Sequence, residues 1–259
     1  MALWQTTRFR LDLTRPLVMG IVNNTPDSFS DGGHHHSVTA ALRHAEKLLK
    51  DGAHILDIGG ESTRPGSPPV PLEEEMRRVL PFVQAAVQFG VPISVDTYKA
   101  QVMQAVLDAG ADIINDVWAL RQPGAQSVVA NHPHCGVVLM HMHKTPQDMQ
   151  QTPMRGDAVA QVQNFLAQQT QALLALGVER QRIVWDYGIG FGKTVAQNFA
   201  LLAQQAALTR QGFALLAGWS RKSSLGQVTN RPVEERMVPS VAAAVLAVER
   251  GARIVRVHD

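Results

Sequence analysis

Val18-Met19-Gly20-Ile21-Val22 is a short, continuous apolar run that stops on Asn23. The arrangement recurs seven more times. Ile55-Leu56-Asp57-Ile58-Gly59-Gly60 ends in Glu61, Ile93-Ser94-Val95 in Asp96, and Ile113-Ile114 in Asn115-Asp116. Val137-Val138-Leu139-Met140 ends in His141, and Ile183-Val184-Trp185 in Asp186. Ala214-Leu215-Leu216-Ala217-Gly218 leads to Ser220-Arg221-Lys222, and Ile254-Val255 to Arg256, then Val257-His258-Asp259. Runs of this kind suit strands buried on both faces, as in a parallel sheet. Eight such strands with chemistry at their last residues are the plan of an α/β fold, the (β/α)8 or TIM barrel, whose active site gathers at that end.

The segments between the runs read as helices closed by glycine, which supplies a left-handed cap residue. Apolar spacing of three and four predicts helices over Thr39–Lys50, Pro71 to Gly90, and Ala100–Ala109. It predicts others over Asp157–Leu176, Thr194–Arg210 and Pro232–Arg250. Pro71 and the acids Glu73, Glu74 and Glu75 suit a helix start. Strand, loop, helix, glycine, strand is the order of a parallel sheet. The chain of 259 residues has no linker or charge run that divides it, so one domain over residues 1–259 is expected. After the eighth run the chain stops at Asp259, so a final helix is expected to be absent, leaving strands eight and one to be covered by another segment or subunit.

Composition excludes several classes. A net charge of +2 gives no reason to expect nucleic acid or a membrane surface as a partner. Met1 to Arg10 has no apolar core of a signal peptide, and Val241 to Val248 is far short of the ~20 residues that span a bilayer. A single cysteine, Cys135, rules out an internal disulfide and fits a reducing compartment, so a cytoplasmic enzyme is expected.

Asp96, Asn115 and Asp186 end runs three, four and six. Two carboxylates and a carboxamide in a barrel mouth can read the donor and acceptor edge of a flat heterocycle such as a 2-amino-4-oxo pyrimidine. Arg256 and His258 alternate, so they share one face of the last strand. With Arg221 and Lys222 they suit a phosphate site after strands seven and eight, where such sites recur. Asn23 could add an oxygen ligand for Mg²⁺ that is otherwise held by substrate phosphates. The long loops Asn24–Gly33 and Ser62–Pro69 follow the first two runs and suit substrate closure.

Three tempting motifs carry less. Gly190-Phe191-Gly192-Lys193-Thr194 resembles the tail of a nucleotide-binding P-loop, but Tyr187 stands where its first glycine belongs. His34-His35-His36 has no spaced partner for a tetrahedral ion and reads as a loop. Cys135 reads as a small buried residue with no histidine–carboxylate pairing to activate it.

Together these segments resemble the bacterial dihydropteroate synthases. Met19–Asn23 with Thr25–Gly33 resembles that family's first signature, and Asp57–Gly66 its second. Ser94–Thr97, Ile114–Asp116, Gly188–Lys193, Ser220–Ser223 and Arg256–Asp259 follow in order. The resemblance implies condensation of 6-hydroxymethyl-7,8-dihydropterin diphosphate with p-aminobenzoate, giving 7,8-dihydropteroate and pyrophosphate. It implies that Asp96, Asn115, Asp186 and Lys222 hold the pterin, and that Asn23, Arg256 and His258 hold the diphosphate with Mg²⁺ on Asn23. It implies that Phe29, Thr63, Arg64, Pro65, Phe191 and Ser223 line the aminobenzoate pocket, which would also take sulfonamides. Asp31, Asp96 and Lys222 would serve the reacting centre, and a homodimer is implied.

The chain departs from the family pattern at Asn24, usually apolar, and at Tyr187, usually proline; both are expected to touch the site. Two other readings share the heterocycle edge. One is a pterin methyltransferase, against which Ser220–Ser223 and Arg256–His258 argue; the other is a non-catalytic pterin-binding relative.

Overall fold

Each of the eight apolar runs forms a strand, because continuous Val, Ile and Leu satisfy an interior on one side and helices on the other. In the computed structural model they are β3 (Leu17–Asn23), β4 (Ile55–Gly59), β5 (Ile93–Asp96), β6 (Ile113–Asp116), β7 (Gly136–Met140), β8 (Ile183–Asp186), β9 (Ala214–Ala217) and β10 (Ile254–Val257). All neighbours pair in parallel, and β10 pairs with β3 from Ile254↔Leu17 to Val257↔Gly20, closing the barrel. The structure describes residues 2–23, 33–63, 66–146, 148–149 and 151–259, without the side chains of 33–37.

Period two decides what each strand offers the interior. Met19, Ile55, Ile113, Val138, Val184, Leu216 and Ile254 pack together in the lower barrel. Two or four residues further on, the same inward face carries Asn23, Asp57, Asn115, Asp186 and Arg256. The intervening residues, such as Val95, Val137, Leu139 and Trp185, join the outer core beneath the helices.

The lower end is closed by a hairpin that the sequence reading did not foresee. β1 (Leu3–Gln5) and β2 (Arg10–Asp12) pair antiparallel. Trp4 is fully buried against the lower barrel residues, and its Nε1 donates to the Arg182 carbonyl at 3.0 Å. Burying a tryptophan removes on the order of 200 Å² from water, about 5 kcal/mol as an upper figure. Arg8 fastens the hairpin by donating to Asp112 through its backbone N (3.0 Å), Nε (3.0 Å) and Nη2.

The helices are α1 (Gly33–Lys50), α2 (Leu72–Ala86), α3 (Ala100–Asp108), α4 (Ala125–Asn131), α5 (Ala158–Ala175), α6 (Val195–Ala203), α7 (Gln205–Thr209), α8 (Ser223–Thr229) and α9 (Met237–Glu249). The expected boundaries hold at α3 and α5, where Gly110 (φ 102°) and Gly177 (φ 85°) take the left-handed conformation after the helix. Asp157 caps α5 by accepting from Val159 N and Ala160 N. The expected Thr194–Arg210 helix breaks at Gln204 into α6 and α7, and the Pro232–Arg250 helix begins with a separate 3₁₀ turn. One expectation is overturned: the backbone of His34–His36 lies in α1, which begins at Gly33, and not in a loop; histidine carries no helix-breaking penalty of the glycine or proline kind.

Beside β10 and β3 lies an apolar trough lined by Val18, Met237, Val241, Val245, Val255 and Val257. On α9, Val238, Val241 and Val245 are 75%, 57% and 53% exposed. No described helix is long and apolar enough to cross a membrane.

Candidate active site

The upper barrel interior is organised around Asp57, whose side chain is fully buried. Its Oδ1 accepts from Ser94 Oγ; its Oδ2 accepts from Asn115 Nδ2 at 3.1 Å and Arg256 Nε at 2.6 Å. Arg256 Nη2 also donates to Asp96 Oδ2 at 2.9 Å. One guanidinium thus spans β4 and β5 from β10, joining the first half of the barrel to its last strand. Burial alone would weaken its charge, but Asp57 and Asp96 outweigh burial and hold its pKa above the usual arginine value.

Asp57 carries no role in the sequence reading, yet the signal was present. A carboxylate in the middle of a buried apolar run must find a donor or a cation, since an isolated buried charge is untenable.

Asp96 and Asp186 are buried and lightly bonded. Among the described residues Asp96 accepts one hydrogen bond, from Arg256, and Asp186 accepts one, from Gly188 N at 2.7 Å. Burial pushes Asp96 up to about 7, with Arg256 opposing and Asp57, Asp116 and Glu75 adding to the rise. Burial also raises Asp186, while the Gly188 N–H, Lys222 and Arg256 hold it back. A carboxylate has room for about four hydrogen bonds, so both retain acceptor capacity toward the mouth. Buried carboxylates with perturbed pKa values in a barrel mouth mark a ligand site.

Asn23 sits near Asp96, across Gly59. A Cβ built on Gly59 would lie 3.5 Å from Asn23 Oδ1 and 3.9 Å from Asp96 Cβ, so the bare glycine leaves space between the two side chains. Magnesium needs only one or two protein oxygens when phosphates complete its shell, and Asn23 Oδ1 over Gly59 fits that minimal set. No cluster of three or more metal-binding side chains occurs among the described residues.

The cationic side comes from the ends of β9 and β10. His258 N donates to Ser220 Oγ at 3.1 Å, and its Nδ1 lies 2.9 Å from the same oxygen. Burial, then Arg256, Arg221 and Lys222, push His258 down to about 3, so it is neutral and can donate or accept. Lys222 occupies the residue before α8 and places Nζ 4.4 Å from the centre of the Phe191 ring. Arg221 takes a left-handed conformation (φ 59°) and pairs with Asp259. Ser223 is the first residue of α8 and is exposed.

Thr63 is half-buried on the loop after β4. That loop starts at Glu61, which pairs with Lys99 and accepts from Tyr98 OH at 2.9 Å. Lys99 also pairs with the buried Glu75 of α2, whose Oε1 accepts from Thr97 Oγ1 at 2.7 Å. Asn24, Phe29, Asp31, Arg64 and Pro65 lie outside the described residues.

Tyr187 corrects an expectation. It does not touch the site. Asp186 faces inward, so Tyr187 faces outward, fully buried beneath the helices. Its OH donates to Gln205 Oε1 at 2.8 Å and accepts from Trp219 Nε1 at 3.3 Å; Gln205 Nε2 donates to the Ala247 carbonyl at 2.7 Å. The tyrosine ties β8 to α7 and α9.

Comparison with known proteins agrees with this geometry. The pterin binding enzyme family model matches residues 19–258. The dihydropteroate synthase of Neisseria meningitidis is 48% identical over 99% of this chain and 92% of its own length. The Xanthomonas albilineans dihydropteroate synthase, solved with 4-aminobenzoic acid, is 51% identical with a TM-score of 0.91, over 96% of this chain and 90% of that one. The Burkholderia cenocepacia dihydropteroate synthase, solved with 7,8-dihydropteroate, is 51% identical with a TM-score of 0.91, over 100% and 91%. The chain belongs to the pterin-binding enzyme family, among the dihydropteroate synthases.

Proposed function

We propose that this site condenses 6-hydroxymethyl-7,8-dihydropterin diphosphate with p-aminobenzoate, forming 7,8-dihydropteroate and pyrophosphate. The observation that carries the reading is the pairing of two under-bonded buried carboxylates, Asp96 and Asp186, with the cations Arg256 and Lys222 in one barrel mouth. Asp96, Asn115 and Asp186 accept and donate along the pterin edge, with Lys222 beside them. Arg256 has N–H groups beyond the two that reach Asp57 and Asp96, and these, with His258 and Asn23, receive the diphosphate. Asn23 would hold Mg²⁺, which would supply charge neutralisation for the diphosphate.

In the reaction the methylene C–O bond breaks and its electron pair leaves with pyrophosphate. The pterin-stabilised carbocation is balanced by Asp96 and Asp31. The neutral amine of aminobenzoate donates its lone pair to form the C–N bond, and its proton passes to water. Thr63, Arg64, Pro65, Phe29, Phe191 and Ser223 hold the aminobenzoate, and loop closure keeps water from the cation.

The reading carries a cytoplasmic location with it, and a homodimer. The exposed apolar residues Val238, Val241 and Val245 of α9 support self-association, which sedimentation would detect. Pyrophosphate release is the deciding assay. It should require both the pterin diphosphate and aminobenzoate; pterin binding without turnover, or methyl transfer from a reduced folate, would overturn the reading.

A further inference from the structure

Gly188-Ile189-Gly190-Phe191-Gly192-Lys193 ends in a lysine that no step above uses. Its resemblance to a P-loop lysine fails in the structure, because the side chain points inward and is 3% exposed. Nζ donates to three backbone carbonyls, those of Gly188 (2.8 Å), His141 (3.2 Å) and Phe191 (3.2 Å). An ammonium has three N–H donors and no acceptor, so each of the three bonds has a donor of its own.

The three carbonyls belong to two segments. His141 follows β7, while Gly188 and Phe191 lie on the loop after β8. The segments approach closely at two glycines. A Cβ on Gly188 (φ 64°) would sit 2.0 Å from the His141 oxygen, and one on Gly192 (φ 70°) would sit 2.7 Å from the His143 oxygen. Such an approach turns carbonyl dipoles toward one another, and the ammonium lies where they converge. Burial pulls the lysine pKa down to about 7, with Asp186 opposing and Lys222 adding to the fall. An ammonium so costly to bury is held in place by its partners.

What the clamp fixes is the Phe191 ring. Phe191 N donates to the Gly188 carbonyl at 3.2 Å, and Gly190 N donates to Asn198 Oδ1 at 3.0 Å. The ring packs with Met140, Met142 and Met149 on one side and lies 4.4 Å from Lys222 Nζ on another.

We propose that Lys193 is a positioning residue for the arylamine half of the site: by binding the His141, Gly188 and Phe191 carbonyls it holds the Phe191 ring against Lys222. The inference rests on the reading of that half as an aminobenzoate pocket. Lys193→Met keeps the apolar stem and removes the ammonium. It should raise the KM for aminobenzoate about tenfold, near 1.4 kcal/mol, and leave the KM for the pterin diphosphate within about twofold.

A purely structural lysine would move both constants or neither. The companion is a double-mutant cycle with Phe191→Ala. If Lys193 acts through Phe191, adding Lys193→Met to Phe191→Ala should change the aminobenzoate KM by less than about twofold; full additivity overturns the inference. Should Lys193→Met fail to fold, Lys193→Gln replaces it, with two N–H donors for three carbonyls. If neither folds, Lys193 belongs to the fold and not to the site, and the inference falls. A wild-type enzyme whose pyrophosphate release ignores aminobenzoate breaks the functional reading instead, so the two failures are distinct.

Discussion

The two ends of the barrel each bury a carboxylate against an arginine. At the lower end Asp112 is saturated. Its Oδ1 accepts from Arg8 N and Nε, and its Oδ2 from Arg8 Nη2 and Ile93 N. At the upper end Asp96 accepts one bond, from Arg256, and Asp186 one, from Gly188, among the described residues. The charges and chemistry are alike. A saturated buried carboxylate has its partners in the chain and can only hold the fold. An under-bonded one costs stability and keeps acceptor positions for something else, which is the usual condition of a functional site.

The comparison breaks most visibly at Arg8. Arg8→Ala would leave Asp112 buried with two backbone donors, the N–H of residue 8 and Ile93 N, and without its counter-ion. The expected loss is about 3 kcal/mol, at the lower edge for a broken buried pair because the arginine is partly exposed. Urea melts would read it, and kcat per folded molecule should hold. A loss of activity at unchanged stability would erase the distinction between the ends.

Asp186→Asn makes the complementary cut. It turns an acceptor into a donor and leaves ring N–H groups unpaired at ~1–3 kcal/mol each, so a pterin analogue should bind about 100-fold more weakly in calorimetry. Stability should hold or rise, since a buried, lightly bonded charge disappears. Unchanged affinity would remove Asp186 from the site.

Ser223→Phe sharpens the division within the upper end. The residue is exposed, so folding should be spared. The KM for aminobenzoate should rise about tenfold, ~1.4 kcal/mol, and the KM for the pterin diphosphate should barely move. Equal rises would count against separate subsites.

His141 gives the smallest effect. Burial, then Lys193 and Arg121, push its pKa down from 6.5 to about 2. The unfolded chain therefore takes up a proton that the folded one refuses. That stability is present above about pH 6.5 and is lost as pH falls below it, toward ~1 kcal/mol per unit. The stability difference between wild type and His141→Phe should shift by that slope between pH 6 and 5. A flat difference would show that His141 takes up its proton equally in both states.

Much of this was legible because strands impose period two and helices end in glycine. The eight runs became the eight barrel strands, and Asp96, Asn115, Asp186, Arg256 and His258 sit at their upper ends. Strand alternation also held what was missed: Asp186 inward dictates Tyr187 outward, away from the site. Leu3–Gln5 and Arg10–Asp12 are too short for a periodic signal, so the hairpin surfaced only through Trp4. Lys193 was compared with a motif it does not complete, and its three carbonyl partners come from backbone that no side-chain pattern records. Arg256 was expected at a phosphate; its contacts with Asp57 and Asp96 depend on barrel closure, which sets residues from distant strands side by side.

That guanidinium also bears on how the molecule forms. Arg256 is 199 residues from Asp57 and 160 from Asp96 in sequence. Contacts of such separation close late, after the loop entropy between them has been lost. On the ribosome the carboxylates emerge well before their counter-ion. Until β10 pairs with β3, Asp57 and Asp96 lack the arginine, which disfavours burying them before the barrel closes. Sealing the barrel and neutralising the site are one kinetic event, so a chain stalled before its last strand carries neither a closed fold nor a finished binding surface.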